Sequence, residues 1–441
     1  MTQLRILATM LLLGALLLGM QIVRAEQGQD TESVRYTFKN GDTLNGFAKQ
    51  YLVNIEAAQT VQRFNGIKDA TKIRPGTIIK VPTSLLKSTP IGAKVVAFSG
   101  TVNIIGKKGS MIAAVGSAVL EGQTLSTGAP GFLTISIAGG SNVSIPSRSR
   151  VRIVRLRKYL LTGGSDIDLF VEKGRAETAA APIKDANSRF RMRTPTAVSA
   201  VRGTVFRIGY DGPGSASLTE VVEGAVAVDT GNSAPPALIP TGFGAALPVT
   251  GALLQEELLP APQVLNAGSV QADDVVRFGL SPITGAKGYH TQVARDAGFL
   301  EIFAETVSSG PAANFDSVPD GSFFVRSMAI ADSGLEGLAD TFGFRRRLTK
   351  ISAAEASNPT GGAFRINWVD QGLGTAVYRF QLFDEANRDI PMVDEPGLET
   401  SGISLTNLPA GRYSWRLGMR QTTPEGVIET WSVPQSFTIG K

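Results

Sequence analysis

Between residues 94 and 228 the chain keeps returning to a period of two, as in Leu133-Thr134-Ile135-Ser136-Ile137, and glycines break the pattern at short intervals. A period of two places alternate side chains on opposite faces of a pleated strand, whereas a helix of period 3.6 would scatter them around its circumference. Seven such stretches, 94–105, 118–128, 131–147, 150–156, 166–178, 189–210 and 219–228, predict an all-β domain of short strands and tight turns over 91–230. The 49 glycines and 23 prolines in 441 residues agree, because helix-rich chains carry few such breakers. With 43% hydrophobic and 18% charged residues the chain has the apolar content of folded domains, and its length accommodates three or four of them.

Cysteine is absent and histidine occurs once, as His290. No disulfide can form, and no thiolate nucleophile is available. A zinc site built on two or three histidines is excluded, and a Ser-His-Asp triad could use only His290. His290 falls in a strand-like stretch with no metal-ligating neighbours, so it reads as structural. The acidic pairs Asp273-Asp274 and Glu256-Glu257 are adjacent in sequence and would point to opposite faces of a strand, which makes them poor glycosidase carboxylates. No catalytic residue, cofactor or metal site is predicted.

The N-terminus has the layout of a secretory leader. Arg5 precedes the apolar run Ile6–Met20, and Val23-Arg24-Ala25 supplies a cleavage site after Ala25, so 1–25 is expected to be removed. No cysteine follows for lipid attachment, and no later segment approaches the roughly 20 apolar residues of a membrane span. The expected mature chain therefore has no stable membrane span and lies in the periplasm or outside the cell. The net charge of +5 is too small to argue for nucleic acid, and losing Arg5 and Arg24 lowers it further.

Residues 34–83 have a different pattern. Tyr36-Thr37-Phe38 suits a strand, Asn40-Gly41 a turn, and Asp42 a helix cap. Leu44, Phe47, Ala48 and Tyr51 then recur at helical spacing; Asn54 is a second cap, followed by Ala57, Val61 and Phe64, with Asn65-Gly66 as the stop. Pro75-Gly76 turns the chain into a strand at Thr77–Val81. These residues, with Gly41-Asp42-Thr43-Leu44, Asn65, Pro75-Gly76 and Val81-Pro82 as landmarks, closely resemble a LysM domain. The resemblance implies a small βααβ module that binds N-acetylglucosamine-containing glycan, mainly peptidoglycan or chitin, in a shallow groove between two loops. Asp42, Thr43, Leu44 and Asn45 would form one wall and Gly66, Ile67, Ile73, Arg74 and Pro75 the other. N-acetyl groups each offer one donor and one acceptor, which exposed loop backbone can match. Asn45-Gly46 replaces the bulkier pair common in the family, leaving little apolar surface for a sugar face.

The domain at 91–230 resembles the FecR domain, most specifically over Thr194–Phe206, with support from Leu120–Gly128 and Val222–Val228. Signalling members of that family carry a sigma-factor-binding region and a membrane span ahead of it, and neither is present before this domain. Arg202 is expected to tie the domain together through carbonyls or a carboxylate. Arg148, Arg150, Arg152, Arg155, Arg157 and Lys158 form the densest charge cluster; it reads as a solvated strand face, the alternative being contact with phosphate-bearing polymers.

Residues 231–262 are rich in Pro, Gly and Ala with few charges and read as a linker. Beyond it Pro319, Gly321 and Arg326 recur 90 positions later as Pro409, Gly411 and Arg416, and Gly288–Val293 parallels Val377–Leu382. Two β-sandwich repeats, 263–347 and 358–440, follow from this, and they resemble fibronectin type III domains. The chain is thus expected to be a mainly β multidomain protein. Three functions fit: a wall-bound, non-catalytic protein that holds peptidoglycan and presents β domains to other envelope proteins; an envelope sensor or regulator of FecR type lacking its own membrane signalling segment; and, least supported, a wall hydrolase.

Overall fold

The computed structural model describes residues 32–231, 235–265, 267–348, 350–357, 363–371, 375–423 and 426–440. The expected leader, 1–25, lies outside them. The fold is mainly β, with 56% of the described residues in strands and 6% in helices, as the periodicity predicts. The chain divides into two compact units: the first extends through Leu259 and includes the returning segments Leu300–Phe303 and Ala331–Leu338; the second holds the remainder.

The first unit begins with β1 (Ser33–Thr37), α1 (Leu44–Tyr51), α2 (Ala57–Phe64) and β2 (Ile78–Pro82), in the predicted order, with β1 and β2 antiparallel. Leu44, Phe47 and Ala48 of α1 and Ala57, Ala58 and Val61 of α2 are buried against Ile79 and Val81. Tyr36, Phe38, Phe47 and Tyr51 form a run of ring contacts at 4.8–6.3 Å between centroids. Two local expectations need correction. Thr43, not Asp42, caps α1: its Oγ1 accepts from the Gly46 amide at 3.0 Å. Phe64, expected on the buried face, is exposed, because α2 stops there and Gly66 turns the chain at φ +63°. Asn54 accepts from the Ala57 amide at 2.8 Å, although the residue at the cap position of α2 is Glu56.

Downstream lies a sheet of 16 strands. Its hub is the strand Ser165–Ala179, which pairs with Arg150–Tyr159, Ser141–Ile145 and Val205–Tyr210 antiparallel and with Arg189–Arg193 parallel. Leu133, Ile135 and Ile137 are buried as their alternation requires, within a core that also takes Val151, Ile153, Leu169, Phe190 and Phe206. Within the stretch expected to be a linker, 231–262, the described residues 235–259 belong to the first unit. Ala237–Pro240, Phe243–Leu247 and Leu254–Glu257 are strands of the same sheet, the first two paired with Ala225–Asp229 and Ser217–Glu223. Low charge had a second meaning here: Ile239, Ala245, Ala246, Leu247 and Leu258 are core residues.

One ionic cluster of this unit is buried. Arg175 Nη1 meets Glu220 Oε1 at 3.0 Å and its Nε meets Glu336 Oε1 at 3.2 Å, while Arg207 donates to the carbonyls of Glu336 and Gly337 at 2.9 and 2.6 Å. Burial raises the pKa of the Glu220 carboxyl against the pull of Arg175 and Arg207. The neighbouring apolar cluster of Leu218, Ala246, Leu258 and Leu335 is packed closely enough that a Cβ on Gly244 would meet Leu335 at 2.8 Å.

The helical module and the large sheet share a residue. Tyr159, from the Arg150–Tyr159 strand, is buried in the core of the helical module, and its hydroxyl donates to Asp166 Oδ2 at 2.7 Å. Burial, then that hydrogen bond, push the Tyr159 phenol up to about 12. The Lys87 amide donates to the Tyr51 carbonyl at 2.7 Å, and the Leu160 amide donates to the Lys87 carbonyl at 3.0 Å, so backbone bonds run through the same point.

The second unit contains two pairs of sheets. Val276–Gly279 and Ala312–Phe315 form one sheet and Gly288–Ala294, Gly321–Ile330 and Thr341–Arg346, with Val270–Gln271, belong to another. Further on, Lys350–Ser357, Ala363–Gln371 and Gly402–Thr406 form a three-stranded sheet beside one built on Thr375–Asp384 and Gly411–Thr423. The repeat is visible in detail. Arg326 donates to Gln292 Oε1 at 2.8 and 3.0 Å, and Arg416 Nε donates to Gln381 Oε1 at 2.8 Å. Each arginine also covers an aromatic ring, Phe299 at 4.3 Å and Trp431 at 4.7 Å.

Replacing Tyr159 by Ala should remove about 3–5 kcal/mol from the first unit, the cost of a large cavity. Tyr159→Phe should cost only about 1–3 kcal/mol, the loss of one buried hydrogen bond. All three tryptophans, Trp368, Trp415 and Trp431, lie in the second unit. Urea unfolding should therefore show an early loss of circular dichroism signal while the tryptophan fluorescence transition stays in place.

Candidate functional site

The expected groove walls arise from one piece of backbone pairing. Phe38, just after β1, donates its amide to Thr77 O at 2.9 Å and accepts from the Gly76 amide at 2.8 Å. This exchange sets the start of the loop Lys39–Thr43 beside the end of the loop Gly66–Thr77. Gly41 and Gly76, both at φ +87°, turn the two loops, a conformation in which a Cβ would be strained.

Asp42 is committed to the first loop. Its Oδ2 accepts from the Tyr36 hydroxyl at 2.8 Å and from the Lys39 amide at 2.7 Å. The Lys39 amide, then the Tyr36 hydroxyl, hold its carboxyl below the usual carboxylate range. Tyr36 is in turn pushed up to about 12, chiefly by burial and then by this bond. Leu44 is 3% exposed and packs in the core, so only its backbone can face a ligand. Thr43 and Asn45 are exposed.

The second loop is held from α2. Gln62 Nε2 donates to the Ile67 carbonyl and the Ile67 amide donates to the Gln62 carbonyl, both at 3.0 Å. Asn65 exchanges two hydrogen bonds of 2.7 Å with the backbone of Lys80, as a neighbouring strand would. Ile67 and Ile73 are half-buried against the core, whereas Gly66, Arg74 and Pro75 are exposed. Thr43, Asn45, Gly66, Arg74 and Pro75 are thus the expected residues on the open surface, with Leu44, Ile67 and Ile73 supporting them. Tyr36 and Gln62 carry no sign of this supporting role in the sequence. Their role rests on hydrogen bonds to Asp42 and Ile67, which no periodicity reports.

Elsewhere the charged candidates are occupied. Arg150 and Arg152 share Glu172, at 2.7 and 3.2 Å. Arg157 pairs with Glu121, and Arg155 reaches Glu32 at 3.2 Å and Asp166 at 3.4 Å. Four of the six charges between Arg148 and Lys158 are therefore held in ion pairs. Arg202 donates to the Asp185 carbonyl at 3.1 Å. His290 is buried with its Nε2 3.0 Å from Glu305 Oε2. Among the described residues no three His, Cys, Asp or Glu side chains come together as a metal site, and no helix is long and apolar enough to cross a membrane.

Comparison with known proteins gives two family matches, the LysM domain over residues 36–82 and the FecR protein over residues 123–227. No curated relative matches the chain. Among solved structures it is similar to a candidate anti-sigma factor from Parabacteroides distasonis, at 16% identity and a TM-score of 0.26 over 30% of this chain. The chain spans 59% of the length of that protein. It is also similar to the FN1–FN3 domains of chicken CNTN1, at 12% identity and a TM-score of 0.21 over 61% of this chain and 95% of that one. A two-domain fibronectin type III segment of chicken tenascin gives 11% identity and a TM-score of 0.22, over 42% of this chain and all of that one. LysM domains occur in extracellular or cell-wall proteins, and both matched families are non-catalytic. Residues 36–82 are a LysM domain and residues 123–227 a FecR-type segment.

Proposed function

We propose that this is a non-catalytic protein of the periplasm or cell surface that grips peptidoglycan through residues 36–82 and offers its β domains to other envelope proteins. The observation that carries the reading is the pair of loops aligned by Phe38, Gly76 and Thr77 within a LysM domain. Exposed loop backbone, with Thr43, Asn45 and Arg74 at its rim, supplies the polar atoms that N-acetyl groups require. A shallow polar groove of this size binds in the millimolar to micromolar range, about −4 to −8 kcal/mol. A second reading, an envelope regulator whose FecR-type segment receives a signal from another protein, is favoured by the match over residues 123–227.

Asn45 and Arg74 are the cleanest probes, because both are exposed and neither caps a helix. The double variant Asn45→Ala, Arg74→Ala should keep the wild-type melting temperature and pellet with purified sacculi about tenfold less well, the equivalent of about 1.4 kcal/mol. Retention of full pelleting would remove these loops from the site. Raising salt should change wild-type pelleting little, since a neutral-sugar contact is not screened as exposed ion pairs are.

The response to pH follows from Asp42. A carboxyl whose folded pKa is depressed contributes fully above its unfolded value, about 3.9, and loses that contribution only as pH falls through the lower folded value. Sacculus binding should therefore be flat from pH 8 to about 4 and fall below it. Asp42→Asn, which keeps an acceptor but not the charge, should flatten that acid limb.

A further inference from the structure

Three arginines of the large sheet converge on one carboxylate that belongs to neither of their strands. Arg155 Nη1 and Arg189 Nη1 lie 3.2 and 3.0 Å from Glu32 Oε2, and Arg191 Nη1 binds Glu32 Oε1. Glu32 immediately precedes β1, and its carbonyl is fixed by the Thr83 amide at 2.8 Å. The carboxylate can therefore swing out while the backbone stays in place.

Beneath Glu32 two of the same arginines, Arg155 and Arg191, are held by two further carboxylates. Arg191 Nη2 reaches Asp166 Oδ1 at 2.8 Å and Asp168 Oδ2 at 3.4 Å, and Arg155 reaches Asp166. The three carboxylates are not equivalent. Asp166 and Asp168 are 1% and 0% exposed, whereas Glu32 is 34% exposed. Breaking a fully buried pair strands a charge and is strongly unfavourable, while a part-exposed carboxylate keeps access to water and costs less to release. Asp166 and Asp168 are thus the floor that orients the guanidinium groups, and Glu32 is the replaceable occupant. One donor is still unmet with Glu32 seated: Arg191 Nε is buried with no hydrogen-bond partner. An incoming group with more acceptors than one side-chain carboxylate could use it.

We propose that Arg155, Arg189 and Arg191 form a binding site for a carboxylate group of a peptide, which Glu32 occupies until that peptide displaces it. Fork-shaped guanidinium groups suit planar carboxylates bidentately. Peptide chains joined to wall glycan, and the acidic ends of other proteins, both carry the group. The site stands apart from the sugar reading, since none of its residues belongs to the loops Lys39–Thr43 or Gly66–Thr77. Glu32 competes as a tethered ligand, with an effective concentration on the order of millimolar, so the wild-type site is reserved for ligands that are abundant or multivalent.

The test uses the mature chain and three soluble peptides: a free wall stem tetrapeptide, the same peptide with its carboxylates amidated, and an acidic peptide of L-residues. Glu32→Gln should bind the free tetrapeptide about tenfold more tightly than wild type, by calorimetry or amide chemical shifts. The amidated form should not bind, and adding Arg191→Gln should abolish the gain. Preference for the stem peptide over the acidic L-peptide would assign the wall as source, and the reverse order would assign a protein. Wild type should reach the same saturation at about tenfold higher peptide, which keeps the test valid should the variant fail to fold. Binding of neither carboxylate peptide to either chain, or equal binding of the amidated form, would overturn the site. Sacculus pelleting through residues 36–82 would be untouched by that failure.

Discussion

Tyr159 ties together two structures that the chain builds independently. Its ring completes a core made by two short helices and two short strands, which would otherwise be too small to exclude water on that side. Its hydroxyl meets Asp166 in the hub strand of the large sheet. A phenol suits this place because it combines an apolar body with one polar atom that must find a partner when buried. The helical module is therefore not a bead on a string: its core is completed by a residue from a strand of the FecR-type segment.

The same boundary carries a dense group of ion pairs. Arginines on two strands face acids on the strand between them, Asp166 and Asp168, and the outermost acid comes from the start of the helical module. Such pairs do little for net stability, because desolvation consumes the Coulomb attraction. Their effect is on register and orientation, since a one-residue slip would move every arginine to the other face. Specificity of docking, rather than strength, is what the ion pairs contribute.

The site was partly legible in the sequence. Gly41, Gly66 and Gly76 mark turns that a local reading finds, and each has the positive φ that such turns demand. Asn65 was read as a helix stop, and it also pairs with Lys80 as if it were a strand. Asp42 was read as a cap and in fact orders the loop before the cap. In both cases local chemistry was recognised and the partner was not, because the partner's distance depends on how β1 and β2 close. The residues left on the open surface of the two loops, Asn45 and Arg74 among them, are exposed.

Sequence alone determined which stretches are strands or helices, the ninety-residue recurrence of Arg326 in Arg416, and the LysM and FecR character of the two matched segments. These follow from periodicity, turn residues and short motifs, all local properties of the backbone. Tertiary structure decided which face and which partner each charged side chain took. Glu32 and Arg191 are 159 positions apart, and only the closed sheet brings them together. It also decided that Ala237–Pro240, Phe243–Leu247 and Leu254–Glu257 enter the sheet, because a segment poor in charge serves equally as a loose connection or as buried strands. The choice depends on whether a neighbouring edge offers unpaired backbone, as Ser217–Glu223 and Ala225–Asp229 do.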